Sequence, residues 1–244
     1  MNKITVCTIF WKRIKHFRQV LEAWLAQDEV DQVLIWDNSG KYKTDLENVI
    51  VISSSENLNS RWRTLLAHLA KNDLIIQSGD DFIVQKGLVK DLLKYYKEDR
   101  IIGIMGKNFT GNTYYTATGF RSHNISKPMK IDYLCTNICL SSRENAIDID
   151  LREIPSVFID DWWWERKLAK KGISFWIAPT NKWKMIPEAK DSEAHHLDPR
   201  LKELRELYFR KWIKKENIDP WDLYKKYLLK TGQKQAKGDN YAKS

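Results

Sequence analysis

The sequence predicts an α/β fold, a mostly parallel sheet with helices on both faces and further helices at the C-terminus. Apolar, β-rich runs alternate with segments of helical periodicity over the first two-thirds of the chain. Each of the first four runs ends in polar residues, as in open sheets whose ligands lie beyond the carboxyl ends of the strands. Hydrophobic residues make up 43% of the 244, enough to build a core for one large domain with a helical appendage.

The first run, ITVCTIF at 4–10, reads as a buried strand, and Ile14, Phe17, Leu21, Trp24 and Leu25 then recur at helical spacing. QVLIW at 32–36 is a second strand, ended by the turn-forming Asp37-Asn38-Ser39-Gly40. VIVIS at 49–53 is a third; Trp62, Leu65, Leu66 and Leu69 mark a helix, and LIIQ at 74–77 is a fourth strand. Beyond residue 85, Leu88, Leu92, Leu93 and Tyr96 form a helix and IIGIMG at 101–106 a strand. Residues 107–130 are polar and aromatic, a loop or hairpin, and 131–140 read as one further strand. A helix opens at Asp160-Asp161 and closes on Lys170-Lys171-Gly172, with acids at its start, lysines at its finish and glycine just past the end. SFWIAP at 174–179 is a strand. Asp198-Pro199 and Asp219-Pro220 then pair an N-cap with proline at the first helical position and start helices at 199–215 and 220–230. The expected organisation is therefore a catalytic domain at 1–198, basic helices at 199–230 and a polar tail at 231–244.

The formal net charge of +9 is uneven: Pro199 to Ser244 hold thirteen Lys or Arg against six Asp or Glu, a net +7. A basic end on a near-neutral body points to an anionic partner or to a solvated helical surface. Cys7, Cys135 and Cys139 form no compact framework, and two of them sit in apolar runs, which fits buried thiols in a reducing, cytoplasmic setting. The N-terminal apolar run is too short for a signal peptide, and nothing approaches the roughly 20 apolar residues of a membrane span. Eleven tryptophans and ten tyrosines exceed ordinary use and suit stacking on sugars or bases as well as a core.

The strand ends carry the candidate chemistry. Adjacent carboxylates at Asp80 and Asp81, after LIIQSG, repel each other unless a hard divalent cation lies between them or water reaches them. Asp37 and Asn38 stand where a base or ribose is read, or where a turn is built. Arg61 and Arg63 offer cations for phosphate, or a solvated helix face. Asp160 and Asp161 exceed what N-capping needs. Helical geometry cannot turn Trp162, Trp163 and Trp164 all inward, which leaves at least one to line a cleft. Chemistry at an anomeric carbon needs a base for the acceptor proton or a carboxylate facing positive charge, and this pair is the best candidate. His195 and His196, close to Glu193, are candidate metal ligands.

Taken in order, these residues resemble the GT-A-fold glycosyltransferases, particularly glycosyltransferase family 2 and the exostosin-like transferases, over roughly residues 3–210. The resemblance implies a Rossmann-like fold and a nucleotide-sugar donor, most often uridine-linked, bound with Mn2+ or Mg2+. It makes Thr8 to Arg13 the opening strand and loop around the nucleotide, with Asp37 and Asn38 on uracil or ribose and Asn59 and Arg61 on the nucleotide. Gly79-Asp80-Asp81 takes the place of the metal-binding D-x-D motif, with Asp81 the metal ligand and Asp80 at ribose or metal-bound water. The first aspartate of that motif is Gly79 here. Asp160-Asp161 resembles the late acidic pair that brings the catalytic carboxylate, with Asp161 the reacting group, and His195 or His196 resembles a C-terminal histidine that closes such sites. The acceptor is then a glycan or a lipid-linked sugar, with hydroxymethylated bases of viral DNA as the alternative that the basic end supports. Nucleotidyl transfer would want a glycine- and base-rich loop after strand one, where the chain has Trp11-Lys12-Arg13. A purely nucleic-acid-binding protein leaves the strand-end acids unexplained, since carboxylates repel phosphate.

Overall fold

A computed structural model describes residues 3–11, 14–55, 63–111, 113–149, 160–186, 205–206 and 208–210. Strand β1 (Ile4–Phe10) is followed by helix α1 (Ile14–Leu25) and strand β2 (Val30–Asp37), and β1 and β2 pair in parallel. Strand β3 (Val49–Ser53) extends the sheet beyond β2. The short helix α2 (Arg63–Leu66) leads to β4 (Leu74–Ser78), which lies parallel to β1 on its other side. This crossover order is what strand–helix alternation dictates, because parallel neighbours need a connection long enough to return to the starting edge.

The second half is built differently. Strand β5 (Phe82–Val84) precedes helix α3 (Leu88–Leu93), and β6 (Arg100–Gly103) and β7 (Met105–Asn108) follow. Strands β8 (Thr118–Arg121), β9 (Met129–Ile131), β10 (Tyr133–Leu134) and β11 (Ile138–Ser142) come next. Helices α4 (Arg143–Ile147) and α5 (Asp160–Lys170) and strands β12 (Ser174–Ile177) and β13 (Trp183–Met185) complete the order. The main sheet runs β3-β2-β1-β4-β11-β6-β12-β9. Only β11 and β9 oppose the common strand direction, so the sheet is mostly parallel, as expected.

Two single strands expected from the sequence are split. The run at 101–106 leaves the main sheet at Ile104, and β7 pairs instead with β8 and β10 in a three-stranded sheet. The run at 131–140 is pinched where the Asn137 amide donates to the Cys135 carbonyl at 2.7 Å, which separates β10 from β11. An apolar run records burial but not which partner its backbone finds. The irregular region at 107–130 contains the hairpin β7–β8, and β5 pairs with β13 in a two-stranded sheet.

Side chains alternate across the main sheet. Ile4, Val6, Val33, Ile35, Ile76, Ile102 and Leu140 face Phe17, Leu21 and Trp24 of α1 and Leu88 and Leu92 of α3. On the opposite face Cys7, Leu34 and Ile75 meet Leu66 of α2 and Ala146 of α4, while Ile101 and Cys139 meet Trp164 and Leu168 of α5. Both faces are therefore covered by helices, the condition for a parallel sheet. Helix α5 ends as its sequence requires: Gly172 has φ +87°, the Ile173 amide reaches the Leu168 carbonyl and the Gly172 amide that of Ala169. Of the expected C-terminal helices, residues 205–206 and 208–210 are helical; the rest of 199–230, and the tail, lie outside the described residues. No helix among the described residues is long and apolar enough to cross a membrane, and the three cysteines are free thiols.

Candidate active site

The strand ends converge through register and a few hydrogen bonds. Phe10 lies opposite Asp37, and Thr8 opposite Ser78, so the carboxyl ends of β1, β2 and β4 open on the same edge of the sheet. Thr8 itself is fully buried, beneath that edge. Asp37 is also fully buried; its Oδ1 accepts from the Ser39 amide (2.8 Å) and hydroxyl (2.6 Å), and its Oδ2 from the Tyr42 amide (2.8 Å) and Ser53 hydroxyl (3.3 Å). Burial opposes its ionisation, but these donors outweigh it and hold the carboxyl below the ordinary aspartate value. Of the two readings of Asp37, the turn is where its carboxylate is engaged. Asn38 follows, buried, with its amide on the Phe10 carbonyl at 3.0 Å.

At the end of β4, Asp80 is buried and its Oδ2 lies 3.4 Å from the Trp11 amide, which ties this turn to the loop after β1. Asp81 is half-buried, and its carbonyl accepts from the Ile186 amide at 2.7 Å. Gly79 has a physical reason here. A Cβ at this position would stand 2.7 Å from the Asp81 Oδ1. The glycine thus lets the Asp81 carboxylate fold back across the turn, where an aspartate at 79 would compete for the same space. Two adjacent carboxylates, one of them partly open to solvent, are hard oxygen donors of the kind that suits Mn2+ or Mg2+. Among the described residues no group of three His, Cys, Asp or Glu could hold a metal by itself.

The second acid pair opens α5. Asp160 is buried; Asp161 accepts a short hydrogen bond on Oδ2 from the Tyr133 hydroxyl and has the Arg205 guanidinium at 3.6 Å, while its Oδ1 accepts from the Trp162 amide at 3.0 Å. Burial raises the proton affinity of Asp161 above that of an ordinary aspartate; Arg205 opposes this, Asp160 adds to it, and Tyr133 and Arg63 oppose it. One turn along the helix, Glu165 is fully buried, with Oε2 accepting from the Leu134 amide at 2.8 Å. Burial keeps its carboxyl protonated well above the ordinary glutamate range. The three tryptophans separate as helical geometry demands. Trp162 joins Tyr114, Tyr133, Tyr208 and Phe209 in a buried cluster, Trp164 donates from the core to the Asn145 carbonyl at 2.8 Å, and Trp163 stays half-buried.

The two acid pairs are connected by the turn between β10 and β11. The Gly79 amide donates to the Asn137 carbonyl at 2.7 Å, and the adjacent Thr136 hydroxyl accepts from the Arg63 Nη2 at 2.5 Å. Arg63 is buried, close enough to Asp161 to favour its charged form. Arg63 is thus an interior brace rather than part of a solvated helix face. Sequence reasoning passed over Tyr133, Thr136, Asn137, Glu165 and Arg205, and did not expect Arg63 inside. The signal for Glu165 is its i, i+4 spacing from Asp161 on one helix face. The others come from elements distant in sequence. Arg13, Asn59, Arg61, His195 and His196 lie outside the described residues.

No protein-family model matches the sequence, and no curated protein matches it. Among solved structures, the crystal structure of GalNAc-T7 with UDP, GalNAc and Mn2+ superposes with a TM-score of 0.63 at 9% sequence identity. The match covers 96% of this chain, which spans 55% of the length of that one. Similarity at that identity is a statement about architecture, and the architecture is shared over nearly the whole chain. The protein has the GT-A glycosyltransferase fold.

Proposed function

We propose that the protein is a metal-dependent glycosyltransferase that moves a sugar from a nucleoside-diphosphate donor, uridine-linked, to an acceptor hydroxyl. The observation that carries this is the pair of acid sites joined across one edge of the sheet. Asp80-Asp81 ends β4, Asp160-Asp161 starts α5, and the Thr136-Asn137 turn bonds to Gly79 on one side and, on the other, to Arg63, whose charge is felt at Asp161. Fold likeness to a structure solved with UDP and Mn2+ supports the donor class.

In this reading the donor lies over the ends of β1 to β4, and Asp81 ligates a divalent cation, with Asp80 at the ribose or a metal-bound water. Held there, such a cation would supply charge to neutralise the departing diphosphate, the charge that most needs stabilising. Asp161 takes the acceptor proton if configuration inverts, or faces the oxocarbenium-like sugar if it is retained. Its raised proton affinity, set first by burial, suits a base. The anomeric configuration of the product, read by NMR, separates these two courses. For the acceptor we place a glycan or lipid-linked sugar first. The net +7 of residues 199–244 supports a DNA acceptor as the second reading. Filter binding to hydroxymethylated duplex at two salt concentrations tests it. Each phosphate contact contributes a slope of about 0.9 in log K against log salt, and neutralising Lys211, Lys214 and Lys215 removes that slope only if DNA is bound through them.

The deciding experiment is a thermal-shift screen of nucleotide sugars with and without manganese. A donor at one hundred times its Kd stabilises the folded chain by roughly 2.7 kcal/mol. No shift with any uridine-, guanosine- or thymidine-linked sugar, with or without manganese, would sink the proposal.

A further inference from the structure

The C-terminal helical residues at 205–206 and 208–210 stand over the second acid pair, and their contacts there are specific. Arg205 Nη2 lies 3.6 Å from the Asp161 Oδ2, and its Nη1 donates to the Tyr114 hydroxyl at 3.0 Å. Glu206 accepts from the Tyr114 amide at 2.9 Å. Phe209 is fully buried, with its ring centroid 4.6 Å from that of Phe109 and 5.7 Å from that of Trp162. The Tyr133 hydroxyl reaches the same Asp161 oxygen from β10.

We propose that Tyr133 and Arg205 are positioning residues that grip the Asp161 carboxylate from two elements, making the C-terminal segment a working part of the acceptor side of the site. The proposal rests on Asp161 being the reacting carboxylate. The Asp161 Oδ1 is occupied by the Trp162 amide of its own helix, so rotation of the carboxylate is resisted at both oxygens. A base must present one lone pair to the acceptor hydroxyl in a fixed direction, and a misplaced carboxylate loses that geometry. The grip also tunes charge. Arg205 and the Tyr133 hydroxyl both favour the ionised form against the burial and the Asp160 charge that disfavour it. The other charged or titratable groups around Asp161 are Arg63 from α2, Glu165 further along α5, Lys107 from β7, Tyr114 between β7 and β8, Cys135 after β10 and Cys139 from β11. Lys107 sits over the Tyr114 ring at 3.7 Å, and burial lowers its proton affinity, so it is a weaker counter-charge than Arg205.

The test uses the full chain carrying Tyr133→Phe, Arg205→Gln or Arg205→Lys. The carboxyl of Asp161 is followed by carbon-13 NMR against pH, with its signal identified by its loss in Asp161→Asn. UDP release from UDP-GalNAc and UDP-glucose, with water as acceptor and manganese present, is measured across the same pH range. Tyr133→Phe and Arg205→Gln each remove an interaction that favours the ionised form, so the titration of Asp161 moves to higher pH in both. The acid limb of kcat moves with it, and kcat falls by about tenfold or more while KM for the donor stays within about twofold. Arg205→Lys keeps the charge and returns the titration towards the wild-type position. A purely structural role would lower activity at every pH without moving the limb. Tyr133→Phe, which removes a single oxygen, carries the test if Arg205→Gln does not fold. An unmoved titration with UDP release intact in the wild type discards the grip and keeps the transferase reading. A titration that moves in the variants, when the wild type releases no UDP from either donor and no nucleotide sugar stabilises it, keeps the grip and discards that reading.

Discussion

The two acid pairs have the same composition and opposite surroundings. Asp80-Asp81 sits at the end of a parallel strand, where the contacts place a backbone amide of Trp11 on Asp80 and leave Asp81 partly open to solvent. Asp160-Asp161 sits in a buried cluster of cations and aromatic rings from four separate elements. Adjacent carboxylates resolve their repulsion by a bound cation or by burial among counter-charges. The second pair takes the latter course, and on the proposed function the first takes the former. A site that binds a metal-diphosphate must be reachable from solvent. A site that exchanges a proton must be shielded from water, with its proton affinity fixed in advance. On the proposed function the two pairs therefore have separable roles, and separate readouts can break that division.

The largest effect is expected at the first pair. Asp81→Ala removes the carboxylate that Gly79 makes room for, and manganese-dependent binding of UDP, measured by calorimetry, should be lost while the melting temperature of the free chain changes little. Undiminished affinity would overturn the metal assignment. At the second pair, Asp161→Asn keeps the size and the hydrogen bond to the Trp162 amide but removes the charge. Turnover should fall about a hundredfold or more, with donor affinity nearly unchanged. If Asp160→Asn loses turnover and Asp161→Asn does not, the reacting carboxylate is Asp160. A drop in donor affinity in either variant would mean that the two pairs are not separable.

The difference between the pairs is also the difference between what the sequence reveals and what it hides. The ends of β1, β2 and β4 could be read because each strand is an unbroken apolar run whose polar tail follows at once, as in LIIQSGDD. Asp80 and Asp81 need no distant partner to be noticed. Asp161 was legible from its place at a helix start beside three tryptophans. Tyr133, Arg63 and Arg205 were not, because they meet Asp161 through antiparallel pairing and chain reversal that no local period encodes. The run at 131–140 looks like one strand, yet Tyr133 and Ile138 belong to different sheets. Asp37 is a third case: its place at a strand end invites either a ligand or a turn, and Ser39, Tyr42 and Ser53 engage its carboxylate in the turn.

A subtler probe of the first pair is Gly79→Ala. The added methyl would meet the Asp81 Oδ1 at 2.7 Å, and the far end of that side chain moves more easily than backbone. The fold should hold while the carboxylate shifts, weakening manganese-supported UDP binding about tenfold, in the range seen when groups that orient a metal ligand are changed. Equal affinity in wild type and variant would show that the Asp81 orientation in the free chain is not the one used on the metal.

The smallest effect on turnover, and the sharpest test of burial at the second pair, is Glu165→Gln. Burial first, with the Asp161 charge adding and the Leu134 amide opposing, keeps the folded Glu165 carboxyl protonated well above its usual value of 4.5. In the unfolded chain the same group ionises near that value. Above it the folded state binds the additional proton, so this group's contribution to stability is complete at lower pH and erodes as pH rises towards the folded pKa. Glutamine has the shape of the protonated acid and can still accept from the Leu134 amide, but it does not titrate. The second side-chain oxygen, Oε1, has no hydrogen-bond partner among the described residues, so the amide nitrogen that replaces an oxygen displaces no contact seen there. Denaturant unfolding at pH 5 and at pH 8 should therefore show the variant gaining stability relative to wild type at the higher pH, with UDP binding unchanged at both. A constant offset between the two proteins across that range would mean that Glu165 ionises as an ordinary surface acid does, and the second pair would lose the shielded interior that distinguishes it from the first.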